Sequence, residues 1–193
     1  MRTRRSTTLA AATMTLLSPL FAVLTPAIGT GTTFISFDDL PSVCHFADAN
    51  PLRGHYAAAK FKGPNAQDGG AVLDSTCGGW AVPARTGQRF LAFNVDGTMA
   101  NGGTARGPAK IGLTAPQKKV TIWVNQVSNS GTSTFKMVGR REGKPIRTAT
   151  TTTSSNSWMS LSVSAPKGFD KVILSAPVEA DGTWLADDLT MVN

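Results

Sequence analysis

Apolar and polar residues alternate in short runs along most of this chain, and Gly, Pro, Asn and Asp separate the runs. Ile35 and Phe37 alternate in the first run, and Ala58, Lys60 and Lys62 alternate against Ala59 and Phe61 in the second. Ala71-Val72-Leu73 and Phe90-Leu91-Ala92-Phe93 are short and apolar throughout, as strands buried on both faces are. Val120, Ile122 and Val124 recur at every second residue with Thr121 and Trp123 between them. Phe135 and Met137, Leu161 and Val163, Val172 and Leu174, then Leu185, Leu189 and Met191 continue the pattern. Successive side chains of a strand point to opposite faces, so a period of two gives each strand one buried face. No segment keeps the helical period over three turns. The pattern predicts an all-β chain, about eight to ten strands in a single antiparallel β-sandwich or barrel. The Thr-rich run from Thr148 to Ser157 fits as a half-exposed strand that turns at Ser154 to Asn156. The glycine-rich stretch from Asp96 to Lys110 reads as a loop or irregular edge.

The first residues follow a different rule. Arg2, Arg4 and Arg5 precede an Ala-rich apolar run from Leu9 to Leu24, and small residues follow at Ala27 and Gly29. That order is a secretory signal peptide over residues 1–29, with the sandwich domain over residues 30–193. A membrane span needs ~20 mostly apolar residues, and Pro19 and hydroxyl residues break this shorter run. The expected product is secreted, without a membrane span, and monomeric. Removing Arg2, Arg4 and Arg5 from the 19 basic residues leaves 16 against 12 acidic ones, a mature net charge of +4. The remaining cations are scattered along the sequence, and no basic stripe suggests a nucleic-acid partner. The two cysteines, Cys44 and Cys77, both belong to the exported part. An isolated pair in an oxidising compartment forms one disulfide. A closed loop of about 33 residues contributes roughly 3 to 4 kcal/mol in the chain-entropy model.

Signatures of catalysis are missing. There is no Gly-x-Ser-x-Gly elbow, no phosphate loop and no His-Glu-x-x-His helix. His45 and His55 do not make a two-histidine metal site, and a glycosidase pair of carboxylates is not singled out by spacing. The acidic residues are oddly placed, however. Asp38-Asp39 ends the first strand and Asp187-Asp188 lies in the last. Period two puts Asp39 on the face of Ile35 and Phe37, and Asp187 on the face of Leu185, Leu189 and Met191. A bare carboxylate on a core face is strongly disfavoured, so it takes hydrogen bonds, a cation or a place at the rim. If the end strands are neighbours, the two pairs converge and suit a hard cation such as calcium. Turn capping in water is the equal alternative on spacing alone.

Ile35-Ser36-Phe37-Asp38-Asp39-Leu40 and Trp184-Leu185-Ala186-Asp187-Asp188-Leu189-Thr190-Met191 resemble the opening and closing strands of secreted galactose-binding-like jelly rolls. Gly69 to Asp74, Phe90 to Asn94 and Val120 to Val124 match the order of strands between them. The resemblance implies a jelly roll of carbohydrate-binding-module type over the whole mature chain. It also implies a structural Ca2+ held by Asp38 or Asp39 and Asp187 or Asp188. An extracellular glycan or polysaccharide is the implied partner, recognised without catalysis. Sugars stack on aromatic rings, and Trp123, Trp158, Trp80, Trp184 and Tyr56 are the candidate plates. Trp123 alternates away from the core and faces outward, while Trp158 and Trp80 adjoin turn-like sequence, as loop-tip residues do. The alternatives are an extracellular protein-binding or surface-structural sandwich, and a small polysaccharide hydrolase or lyase.

Overall fold

The alternation forms nine strands among the described residues, with no helix beside them. They are β1 (Thr32–Ile35), β2 (Ala59–Lys62), β3 (Ala71–Asp74), β4 (Arg89–Phe93), β5 (Ala109–Gln126), β6 (Thr132–Arg141), β7 (Lys144–Ser154), β8 (Met159–Ser175) and β9 (Trp184–Val192). The computed structural model describes residues 31–41, 43–45, 52, 54–62, 70–77, 80, 82–93, 109–126, 132–154, 156–176 and 184–193. The expected leader, residues 1–29, and most of the glycine-rich stretch lie outside the described residues.

Every strand pairing is antiparallel. The strand order is β3-β4-β9-β5-β8-β6-β7, with β1 also on β9 and β2 also on β5. The two longest strands, β5 with 18 residues and β8 with 17, serve both layers of the sandwich. Their register breaks between Gly112 and Lys119 of β5. Pro116 and Pro166 stand at this corner, where a missing N–H interrupts the ladder. The first half of β5 pairs with β2 and with the second half of β8, which continues to β6 and β7. The second half of β5 pairs with β9 and the first half of β8, and β9 continues to β1, β4 and β3.

The two layers meet through their alternating apolar faces. Ile111, Val172, Leu174, Phe135 and Met137 come from one layer, and Val120, Ile122, Leu161, Phe93, Leu189 and Met191 from the other. The ring of Phe135 on β6 lies 5.7 Å from that of Trp184 on β9, which in turn stacks on Phe93 at 3.9 Å. Trp184 is therefore core and not a ligand plate. A second, smaller cluster lies on the other face of the β3-β4-β9 sheet, from Ala71, Leu73, Phe90, Ala92 and Leu185. Val82 and the half-buried Trp80, Ala84 and Trp158 cover it. That outer layer explains why β3 is buried on both faces. The Cys44–Cys77 disulfide, with Cα atoms 5.4 Å apart, fixes the chain at the margin of this outer layer.

Candidate functional site

The last strand departs from simple alternation at its acidic pair. Trp123 of β5 stands opposite Asp187 and Thr121 opposite Thr190, so two residues of β9 face one of β5. This is a β-bulge, and Asp188 takes the left-handed backbone it needs, with φ 51°. The extra residue flips the phase of the strand. Leu189 and Met191 enter the main core, whereas Leu185 and Asp187 lie on the opposite face under the outer layer. The expectation that Asp187 shares a face with Leu189 and Met191 is thereby corrected.

Both carboxylates of the pair are buried and fully engaged. Asp187 accepts the backbone N–H groups of Arg85 at 2.9 Å and Asp188 at 2.8 Å. Asp188 accepts the Thr86 hydroxyl at 2.6 Å and pairs with the Arg85 guanidinium. Burial, and after it the Asp188 carboxylate, push Asp187 up to about 7 against the pull of its N–H donors. Asp38 serves the other end of the same segment. It accepts the N–H groups of Gln88 at 2.9 Å and Arg89 at 3.1 Å. Gly87, at φ 60°, lets the backbone pass this carboxylate, because a Cβ there would collide with it.

Asp187, Asp188 and Asp38 thus meet one segment, residues 85–89, from its two ends, whereas Asp39 bonds Tyr56 and His55 instead. The donor set does not fit a calcium ion. N–H and O–H groups already take the carboxylate oxygens, and Arg85 supplies the positive charge. Among the described residues, no three His, Cys, Asp or Glu side chains are grouped to hold a metal.

Two of the expected aromatic plates belong to the outer layer, and a third, Trp123 of β5, lies beneath its Arg85. The Arg85 guanidinium lies 3.8 Å from the centroid of the Trp123 ring, so the outward face of Trp123 carries a cation. Trp158 donates its indole N–H to the Pro83 carbonyl at 3.1 Å. Trp80 meets Phe90 edge to face at 5.2 Å. Trp158 and Trp80 are half-buried supports of the layer and not loop tips.

An open aromatic surface lies elsewhere, at the first strand. β1 ends at Ile35 because Phe37, with φ 67°, leaves the strand and buries its ring against Tyr56 and Phe61. The chain then turns, so Asp39 points to solvent and not, as alternation implies, into the core. Asp39 accepts a hydrogen bond from the Tyr56 hydroxyl at 2.6 Å, and His55 Nε2 lies 3.3 Å from its other oxygen. Burial raises the acid, but these hydrogen bonds outweigh it and the net shift is downward, so Asp39 is a carboxylate. Tyr56 is pushed strongly upward by burial and by Asp39, so its hydroxyl keeps its proton as a donor.

Asp39 and Tyr56 line a cavity of about 460 Å³. Phe34, Ile35 and Ser36 line it together with Ala57 and Ala58. Phe34 is 56% exposed, the most open large apolar side chain among the described residues. From it a row of hydroxyl groups crosses the sheet: Phe34 stands beside Thr190, Thr190 beside Thr121 and Thr121 beside Ser162. Thr121 and Ser162 share a hydrogen bond of 2.8 Å. Sequence reasoning named Tyr56 and Asp39 but missed Phe34. The available signal was an aromatic on the polar side of a strand whose other side holds Ile35.

No family model matches the chain, and neither does any curated relative. Solved structures are similar in shape at low identity. The K2 cleaved adhesin domain of Lys-gingipain has a TM-score of 0.50 at 13% identity, covering 83% of this chain and 99% of that one. The CBM22-1 and GH10 modules of Clostridium thermocellum endo-1,4-β-D-xylanase 10B, complexed with xylohexaose, give 0.45 at 15% identity over 83% of this chain. This chain spans 28% of that two-module structure. A xylan-binding domain from CBM 22 gives 0.43 at 13% identity, covering 77% of this chain and 94% of that one. The likeness concerns fold alone.

Proposed function

We propose that this chain is a secreted, non-catalytic carbohydrate-binding β-sandwich whose sugar site is the cavity beside β1. The observation that carries the reading is Phe34, an exposed ring that lines the same cavity of about 460 Å³ as the fixed Asp39 carboxylate. A pyranose has an apolar face that covers a ring and hydroxyls that reach outward. Phe34 offers the ring, and Asp39 offers acceptor lone pairs to the hydroxyls. The Tyr56 hydroxyl and the His55 ring hold that carboxylate in place before a ligand arrives. The row from Thr190 through Thr121 to Ser162 gives further hydroxyl partners to a chain longer than one sugar.

The chemistry of the cavity favours binding over turnover. Tyr56 retains its proton and Asp39 its charge, so neither group is poised to shuttle a proton near neutral pH. The leader expected over residues 1–29 and the Cys44–Cys77 disulfide support an extracellular setting. A glycan array probed with the mature chain tests the reading. Retention of neutral glycans by the wild type, with loss in a Phe34→Ala variant, is the expected result. A wild type that retains no glycan overturns it and leaves the protein-binding sandwich in its place.

A further inference from the structure

The cations that are scattered in the sequence are not scattered on the molecule. Lys60 and Lys62 alternate outward on β2, where Ala59 and Phe61 turn to the core. Lys62 stands opposite Lys110 on β5, and Lys60 opposite Gly112. Gly112 in turn stands opposite Lys171 of β8, and Lys171 opposite Arg140 of β6. Antiparallel partners share a face, so five cations from four strands lie on the outer surface of the β2-β5-β8-β6 layer. Four of them, Lys60, Lys62, Lys110 and Lys171, line a cavity of about 590 Å³ with Phe61 and Gly112. No ion pair joins these lysines to a carboxylate among the described residues. Like charges directly opposite one another destabilise a sheet, so this face has an unmet need for anions.

We propose that this face is a second binding site, separate from the Phe34 cavity, for a polysaccharide carrying carboxylates, such as a polyuronate. Charge complementarity names an anion, and four features of the face name its carrier. Lysine ammonium groups are mobile point charges, suited to carboxylates spaced along a flexible chain. Between them Gly112 forms the floor of the cavity, with the aliphatic Ile173 and Val138 in the adjoining row. It offers no aromatic platform among these outward residues on which bases stack, as single-stranded nucleic acid requires. Nor does it project a helix or β-ribbon into a duplex groove. Sugar rings lying on Gly112 place their carboxylates within reach of ammonium groups on both sides.

Gly112 provides a test that leaves every charge in place. A Cβ built there meets the Cβ and the carbonyl oxygen of Lys60, each at 3.8 Å and each an ordinary contact, so a side chain can start from this position over the cavity floor. Binding of the mature chain is measured by calorimetry against polygalacturonate, its methyl-esterified form and an oligothymidylate of matched charge. Polygalacturonate is expected to bind, the ester and the oligonucleotide to fail, and Gly112→Leu to abolish binding. Replacing Lys60 and Lys62 together by Gln is expected to weaken it roughly tenfold, after allowing for salt screening. These two lysines are exposed, so that variant tests the site even if Gly112→Leu does not fold. Phe34→Ala is expected to leave polygalacturonate binding unchanged, which separates this site from the proposed sugar cavity. Equal binding of the oligonucleotide, or full retention by both the Gly112 and the double lysine variants, overturns the proposal.

Discussion

The guanidinium of Arg85 lies 3.8 Å from the ring centroid of Trp123 and pairs at the same time with Asp188, whose side chain is almost wholly buried. One side chain therefore fastens segment 82–89 to two neighbouring strands, β5 and β9. The aromatic face supplies a cation–π contact, and the carboxylate supplies the counter-charge that its own burial demands. Arg85→Ala leaves Asp188 buried without its cation. Because water reaches part of Arg85, the expected loss is about 2 kcal/mol in urea unfolding, below the range for a fully buried pair. Arg85→Lys is expected to recover only part of it, since an ammonium lacks the planar fork that stacks and pairs together. An Arg85→Ala protein as stable as the wild type would show that the disulfide and the backbone bonds to Asp187 hold the segment alone.

The same arrangement makes a statement about calcium. A stabilising ion raises the melting temperature by mass action, and a chelator takes that increment away. Here hydrogen-bond donors and Arg85 already satisfy Asp187, Asp188 and Asp38. The expected result is the same Tm in excess EDTA and in millimolar calcium. A drop in EDTA that calcium restores would mean that these carboxylates give up their donors to a metal.

Asp187 gives stability a pH dependence of unusual sign. Burial, followed by the Asp188 carboxylate, raises it to about 7, whereas an unfolded aspartate titrates near ~3.9. Between those values the folded state holds more protons than the unfolded one, so stability falls as pH rises through the window. Its contribution is most favourable below about pH 4 and is lost by about pH 7. Asp187→Asn keeps a neutral group at every pH. The difference in Tm between Asp187→Asn and the wild type is therefore expected to shift in favour of the variant from pH 5 to pH 8. A constant difference over that range means that Asp187 ionises without strain.

Most strands were legible because period two survives wherever one face is buried, as Val120, Ile122 and Val124 show. Two strands misled at their acidic ends, and both for backbone reasons. Phe37 has a positive φ that ends β1, and the Asp188 bulge inverts β9, so alternation put Asp39 and Asp187 on the wrong faces. A bulge leaves no mark in hydrophobic spacing when the residues around it are apolar on both faces, as Leu185 and Leu189 are. The covering layer over β3 and β4 hid for a related reason. Trp80 and Trp158 adjoin turn residues in sequence, and only tertiary packing turns them inward. The lysine face required strand pairing as well as alternation. Lys60 and Lys171 lie far apart in the chain, and the link between them is Gly112, a residue with no side chain.

Phe34 and Trp123 make opposite predictions from rings on the same side of the same layer. The Phe34 ring is open and contributes little to the core, so Phe34→Ala is expected to fold as the wild type does. Its loss removes the stacking surface and is expected to cost on the order of 1 to 3 kcal/mol of glycan binding, as hot-spot aromatics do. Asp39→Asn keeps the shape but weakens the acceptor for sugar hydroxyls and for Tyr56, so a smaller loss of affinity is expected, again with little change in Tm. Trp123→Ala takes away the platform under Arg85 and is expected to lower stability while leaving affinity unchanged wherever the protein remains folded. Melting curves and glycan titrations on the three variants separate the two roles. Binding that survives Phe34→Ala and disappears in a folded Trp123→Ala protein would move the sugar site from the β1 cavity to the Arg85 surface.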